Sequence, residues 1–272
     1  MTGPTGEEPA RRPEIPAHLR GALGGPADSA GVPWGGRELH SSPFAGDTGE
    51  ADPELLDALR AVSAEPLDPQ RHRAVVSALA DKRLFAPILP AVLEQTVDER
   101  GLMHDNSSEM AMVRLRSGDG REATPAFSDI PSLTAWHPEA RPVPIEAERL
   151  GAAAVEEGAQ LVVIDPGTPH TFLLRRPALW AFLQRHPWMP AWADATIASA
   201  LHAAARGFPW IAGVGMGPAT AAVNATGPEI RVEVRTVQSA SEDQRSDFRR
   251  ALATSEVIAE QVDSLTLSFT EE

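Results

Sequence analysis

The side chains in this chain that are able to do chemistry are few. Cysteine is absent, which removes disulfides, thiolate nucleophiles and Cys–zinc sites in one step. Eight histidines are present, but none stands three or four residues from another, the spacing that turns two imidazoles toward one metal on a helix face. No metal site and no cofactor is expected. The best catalytic pair is Asp165 and His170, which a tight turn at Asp165-Pro166-Gly167 brings toward each other. A pair makes no triad, and Thr168 or Thr171 as nucleophile has no motif behind it. A hydrolase-like enzyme using this turn is therefore the alternative reading, and the expectation is that no residue is catalytic. Gly213-Val214-Gly215-Met216-Gly217-Pro218 follows a strand as a phosphate loop would. Pro218 stands where the dinucleotide fingerprint needs its last glycine, and no Lys-Ser/Thr follows, so a turn or bulge is expected. The arginines Arg245, Arg249 and Arg250 lie among Asp243 and Asp247, and i,i+4 pairing accounts for them. Five tryptophans, Trp136, Trp180, Trp188, Trp192 and Trp210, are assigned to core or domain-interface packing.

These side chains need elements to position them. Residues 1–50 hold ten Gly and seven Pro, a share at which low-complexity character begins, so a mostly disordered arm is expected. Trp34 and Phe44 interrupt it as aromatics suited to docking. Asp52-Pro53-Glu54 opens the first helix with a cap, a proline and a first-turn acid, and Leu55, Leu56, Leu59 and Val62 share a face. Asp68-Pro69 repeats the pattern. Leu84 to Leu89 reads as a strand placed at an edge or bulge by Pro87. Met110 to Arg116 reads as one strand, with a hairpin turn at Asp119-Gly120 and a return through Glu122 to Phe127. A short helix with Leu133 and Trp136, a strand from Arg141 to Ile145 and a helix from Ala147 to Glu157 follow. Leu161 to Ile164 is the most buried-looking strand, Thr171 to Leu174 its return, and Pro177 opens the next helix. Pro187 to Trp192 is read as a packed hinge. Beyond it come a helix over Asp194 to Arg206, strands at Ile211 to Val214 and Ile230 to Val237, a capping box at Ser241 to Gln244 and a last strand at Leu265 to Phe269. The reading is α+β: a mixed β-sheet domain flanked by helices over 51–187, then a smaller α+β domain over 193–272.

Leu84 to Leu183 resembles the N-terminal domain of the SseB (enhanced serine sensitivity) family, particularly its actinobacterial members. The resemblance is carried by Arg83-Leu84-Phe85-Ala86-Pro87, Met110-Ala111-Met112-Val113, Pro125-Ala126-Phe127-Ser128 with Leu133 and Trp136, Arg141-Pro142-Val143-Pro144, and Leu161 to Gly167. Pro43 to Asp47, Gly49, Asp52-Pro53 and Leu56 look like the lead-in of the same group. The chain departs in reading Phe127-Ser128 where Phe-Thr is usual, and His104-Asp105-Asn106 where an Asp-Lys-like pair is common. After Trp192 it is similar to the family's C-terminal domain only in element order. The resemblance implies a mixed α/β domain serving as a non-enzymatic protein-interaction module, with amino-acid sensing as a further reading suggested by the family's name.

Composition limits the partners. A formal net charge of −14 repels nucleic acid and anionic membrane surfaces on average, so neither is an expected partner and an unidentified protein is. Met1 to Pro16 lacks the apolar stretch of a signal peptide, which together with the missing cysteines makes the cytoplasm the expected location. Trp34, Phe44 and Asp47 are the expected binding residues.

Overall fold

The computed structural model describes residues 44–90, 110–116, 120–159 and 161–272, and Asp47–Glu272 forms one compact unit. Two proline-started helices open it. In α1 (Pro53–Ala64) the Asp52 carboxylate accepts from the Glu54 and Leu55 N–H groups, and in α2 (Pro69–Ala78) Asp68 accepts from Gln70. Leu55, Leu59 and Val62 from α1 and Val75 and Leu79 from the second helix point inward and are buried.

Three strands form the first sheet, in the order β2 (Met110–Met112), β1 (Arg83–Pro90), β5 (Arg141–Glu146), all antiparallel. Four form the second: β3 (Leu115–Arg116), β4 (Glu122–Ala126), β6 (Leu161–Ile164), β7 (Phe172–Leu174). Here β4 and β6 run parallel, because α3 (Ile130–Trp136), β5 and α4 (Ala147–Glu156) intervene to carry the chain back. Phe85 and Phe127 exchange both backbone hydrogen bonds, 2.8 and 2.9 Å, and so join the two sheets. Val162, Ile164, Phe172 and Leu174 pack on the first two helices together with Leu150 of α4 and Leu179 of α5 (Arg176–Leu183).

A second core lies toward the C-terminus. Ile230, Val232 and Val234 alternate inward along β9 (Ile230–Thr236), under α6 (Ala195–Ala205), α7 (Glu242–Ala253) and α8 (Glu256–Gln261). The central β9 pairs antiparallel with β8 (Ile211–Pro218) and parallel with β10 (Leu265–Glu271). Both bonds of the capping box between Ser241 and Gln244 form.

Four expectations are corrected. Pro87 lies in the middle strand, not at an edge: it sits opposite Pro142, and β2 pairs only with Ile88 to Pro90, so the proline has a ladder neighbour on one side alone. Met110 to Arg116 is two strands in two sheets, broken at Val113 and Arg114, where the Arg114 guanidinium binds Glu122 and Glu157. The glycine run 213–217 is strand throughout, with a register irregularity between Ile211 and Gly213; Gly213, Gly215 and Gly217 stand opposite Arg235, Glu233 and Arg231, where a phosphate loop has no place. Arg245 lies over the Phe269 ring, 5.1 Å from its centroid, Arg249 reaches Glu242, and Arg250 pairs with Asp247. Of the expected Asp119-Gly120 turn, Gly120 is described, at φ +85° before the antiparallel return of β4 on β3; Asp119, the arm before residue 44 and His104-Asp105-Asn106 lie outside the described residues.

Candidate functional site

The turn that sequence marks for chemistry is built as expected. Asp165 ends β6, the Thr168 N–H reaches its carbonyl at 3.2 Å, and Gly167 takes the positive φ of +82° that the third position of a type II turn demands. Asp165 itself has φ +49°, a conformation an aspartate tolerates only when its surroundings hold it there. The holding bonds come from the end of β4. Ser128 donates its N–H to Oδ1 and its hydroxyl to Oδ2 of Asp165, each at 2.7 Å, and the Asp165 N–H donates to the Ala126 carbonyl.

This geometry settles what the groups can do. Asp165 is fully buried, and burial raises its carboxyl above the ordinary 3.8, against the two Ser128 hydrogen bonds and the pull of His170. The Ser128 proton points at a carboxylate, not at an imidazole, and the residue is 1% exposed, so no substrate carbonyl reaches it. His170 Nε2 lies 3.4 Å from Asp165 Oδ2 and makes no hydrogen bond. Thr168 and Thr171, the other hydroxyls, both donate to the Asp165 backbone carbonyl at 2.9 Å. The cavities beside α5, beside α8, over the four-stranded sheet and next to Trp210 are lined by other residues.

Asp47 belongs to the same lattice. Its carboxylate accepts from Arg83 Nε and Nη2 at 2.6 and 3.0 Å and from the Gly49 N–H at 2.8 Å. Arg83 in turn donates to the Glu50 and Ser128 carbonyls and lies 4.0 Å over the Phe85 ring. Asp47, Arg83, Ser128 and Asp165 thus run as one chain of bonds from the lead-in to the end of β6. Phe44 is half-buried at the start of a short turn, and Trp34 lies outside the described residues.

The residues that sequence reading missed are at α5. Trp180, expected in core or domain-interface packing, is 43% exposed, because Leu179, Phe182 and Ala178 already fill the inward face of this short helix. Trp180 rims a cleft of about 620 Å³ formed by α5, the segment through Trp188 and Met189, the start of α6 and the end of α8. Trp188 is half-buried against the first core. Asp194 contributes its carboxylate from the N-cap of α6, and Glu260 from α8. Among the described residues, the only bond to the Asp194 side chain is from the Thr196 N–H, and Glu260 forms no ion pair. Other acids, among them Glu65, Asp81, Glu122, Glu148, Glu157 and Glu242, are matched by arginines. No signal within α5 marks Trp180 as the residue left outside the packed face, because the cleft is assembled from segments distant in sequence.

Among the described residues, no group of three or more His, Asp or Glu converges as a metal site, and no helix is long and apolar enough to cross a membrane. The fold is α+β with mixed sheets, and its one conspicuous polar turn is a latch between parallel strands. Residues 55–181, a little under half of the chain, match the family model of the SseB protein N-terminal domain, which supports the SseB family for this segment. No curated protein and no solved structure matches the chain.

Proposed function

We propose that this chain is a non-enzymatic binding module of the SseB type, an adaptor that engages a protein partner in the cytoplasm. One observation carries the reading: the Asp165 carboxylate and the Ser128, Thr168 and Thr171 hydroxyls are bonded to one another and to the backbone, His170 Nε2 makes no hydrogen bond among the described residues, and no cavity described above is lined by any of them. The exposed groups free to meet another molecule are instead those of the Trp180 cleft. A partly exposed indole lining one cleft with half-buried Trp188 is the composition from which interface anchors are made. The cysteine-free sequence fits a reducing compartment without requiring one.

Labelling with a fluorophosphonate, which reacts with activated serine and threonine hydroxyls, tests the non-enzymatic reading. No labelling of Ser128, Thr168 or Thr171 is expected, and a panel of ester and amide substrates should give no turnover. Labelling or turnover that disappears in His170→Ala while the protein stays folded would overturn it.

A further inference from the structure

We infer that the Trp180 cleft receives a cationic peptide segment, an arginine or lysine side chain laid on the exposed indole with its charge shared between Asp194 and Glu260. This rests on the binding-module reading and names the chemistry of its partner.

The argument is one of unmatched groups. Among the described residues, Trp180 has neither a ring nor a cation stacked against it, although a guanidinium over an indole is a favourable pairing and this chain places arginines over phenyl rings elsewhere, Arg83 on Phe85 and Arg245 on Phe269. Asp194 and Glu260 line the same cleft without counter-ions. Asp194 answers the positive end of α6. Glu260 sits in the last turn of the short helix α8. One cation is already present: Arg176 also lines the cleft, but its Nη2 is bound to the Ala259 and Val262 carbonyls at 2.6 and 2.8 Å, and this neutralises the end of α8 without reaching either carboxylate. His186 at the rim is exposed. The remaining demand is for positive charge on a long, partly apolar stem, which Arg and Lys supply and a simple metal ion does not. The net charge of −14 steers such a segment in from a distance.

The test is fluorescence anisotropy of the full chain with a labelled peptide alternating Arg and Gly, and with its Glu–Gly counterpart. The Arg peptide should bind and the Glu peptide should not. Trp180→Ala should weaken binding about fivefold to tenfold with no change in net charge. Asp194→Asn with Glu260→Gln should weaken it similarly and flatten its salt dependence; Asn preserves the helix cap. Asp57→Asn with Glu139→Gln removes the same charge elsewhere and should have little effect. Absence of Arg-peptide binding, or binding indifferent to Trp180→Ala, overturns the inference. A folded chain that turns over ester or amide substrates would overturn the binding-module reading, so the two failures are distinguishable.

Discussion

Ser128 and Asp165 are a buried pair whose bonds tie together the segments that leave β4 and β6. Two short hydrogen bonds at 2.7 Å fix the ends of parallel strands that no hairpin joins. Ser128→Ala removes one of them and leaves a buried carboxylate oxygen short of a donor. The cost expected is about 1–3 kcal/mol, read as a lower urea midpoint with an unchanged slope. His170→Ala should cost less, since its Nε2 has no bond to lose. His72 offers a pH test. It is buried with its Nε2 on the Pro66 carbonyl, its ring 5.7 Å from Phe172 and 4.9 Å from Trp192. Burial, opposed by the Pro66 bond and aided by the charge of Arg175, lowers its basicity below the ordinary 6.5. The unfolded chain therefore binds the proton more readily, so the stability that neutral His72 permits is complete above 6.5 and is lost as pH falls toward the depressed folded value. Asp165 and Glu229, both raised by burial, act with the opposite sign. Melting temperatures of the wild type and His72→Leu across mildly acidic pH isolate the histidine: the wild type should fall more steeply, and parallel curves would contradict the assignment.

At the scale of elements, much of the architecture is legible because local rules decide it. Asp52-Pro53, Asp68-Pro69 and Ser241 to Gln244 start helices through caps that act within one turn, and the strict alternation of β9 states which face is buried. What was not legible depends on partners distant in sequence. Pro87 fits inside the sheet because β2 stops at Ile88 and leaves it a ladder neighbour on one side alone, and the glycines of β8 are strand because β9 supplies the ladder. The same limit hid the binding candidate, since nothing within α5 says that its inward face is complete without Trp180. Two glycines make the contrast testable. A Cβ on Gly49 would meet Ile130 Cδ1 at 2.5 Å on a backbone at φ +81°, whereas one on Gly213 would meet only the mobile Arg235 Nη2 at 2.6 Å. Gly49→Ala should destabilise by about 1–2 kcal/mol, and Gly213→Ala should be near neutral by the same denaturation assay.

At the scale of the molecule, buried polar bonds link the segments that carry the two cores. Arg175 donates to Asp263 and to the carbonyls of Val223 and Gly227 at 2.9–3.1 Å. Arg121 and Ser264 reach the same Asp263 oxygen, and Glu229 accepts the N–H groups of Ala191 and Asp263. Burial pushes Asp263 up, but the bond and charge of Arg121 and the charge of Arg175 hold it below the ordinary 3.8. Its contribution is present above that value and lost in stronger acid. Arg175→Ala strands buried carbonyls and a carboxylate at once, and about 3–5 kcal/mol of destabilisation is expected in thermal or urea unfolding. This rigid connection places α5, α6 and α8 around one cleft, and the proposed function stands on that cleft. The most direct measurement is retention of the labelled Arg–Gly peptide by immobilised wild-type and Trp180→Ala proteins side by side, with melting temperatures recorded for both. The account predicts that the substitution releases the peptide and leaves the melting temperature nearly unchanged; equal retention by the two would contradict it.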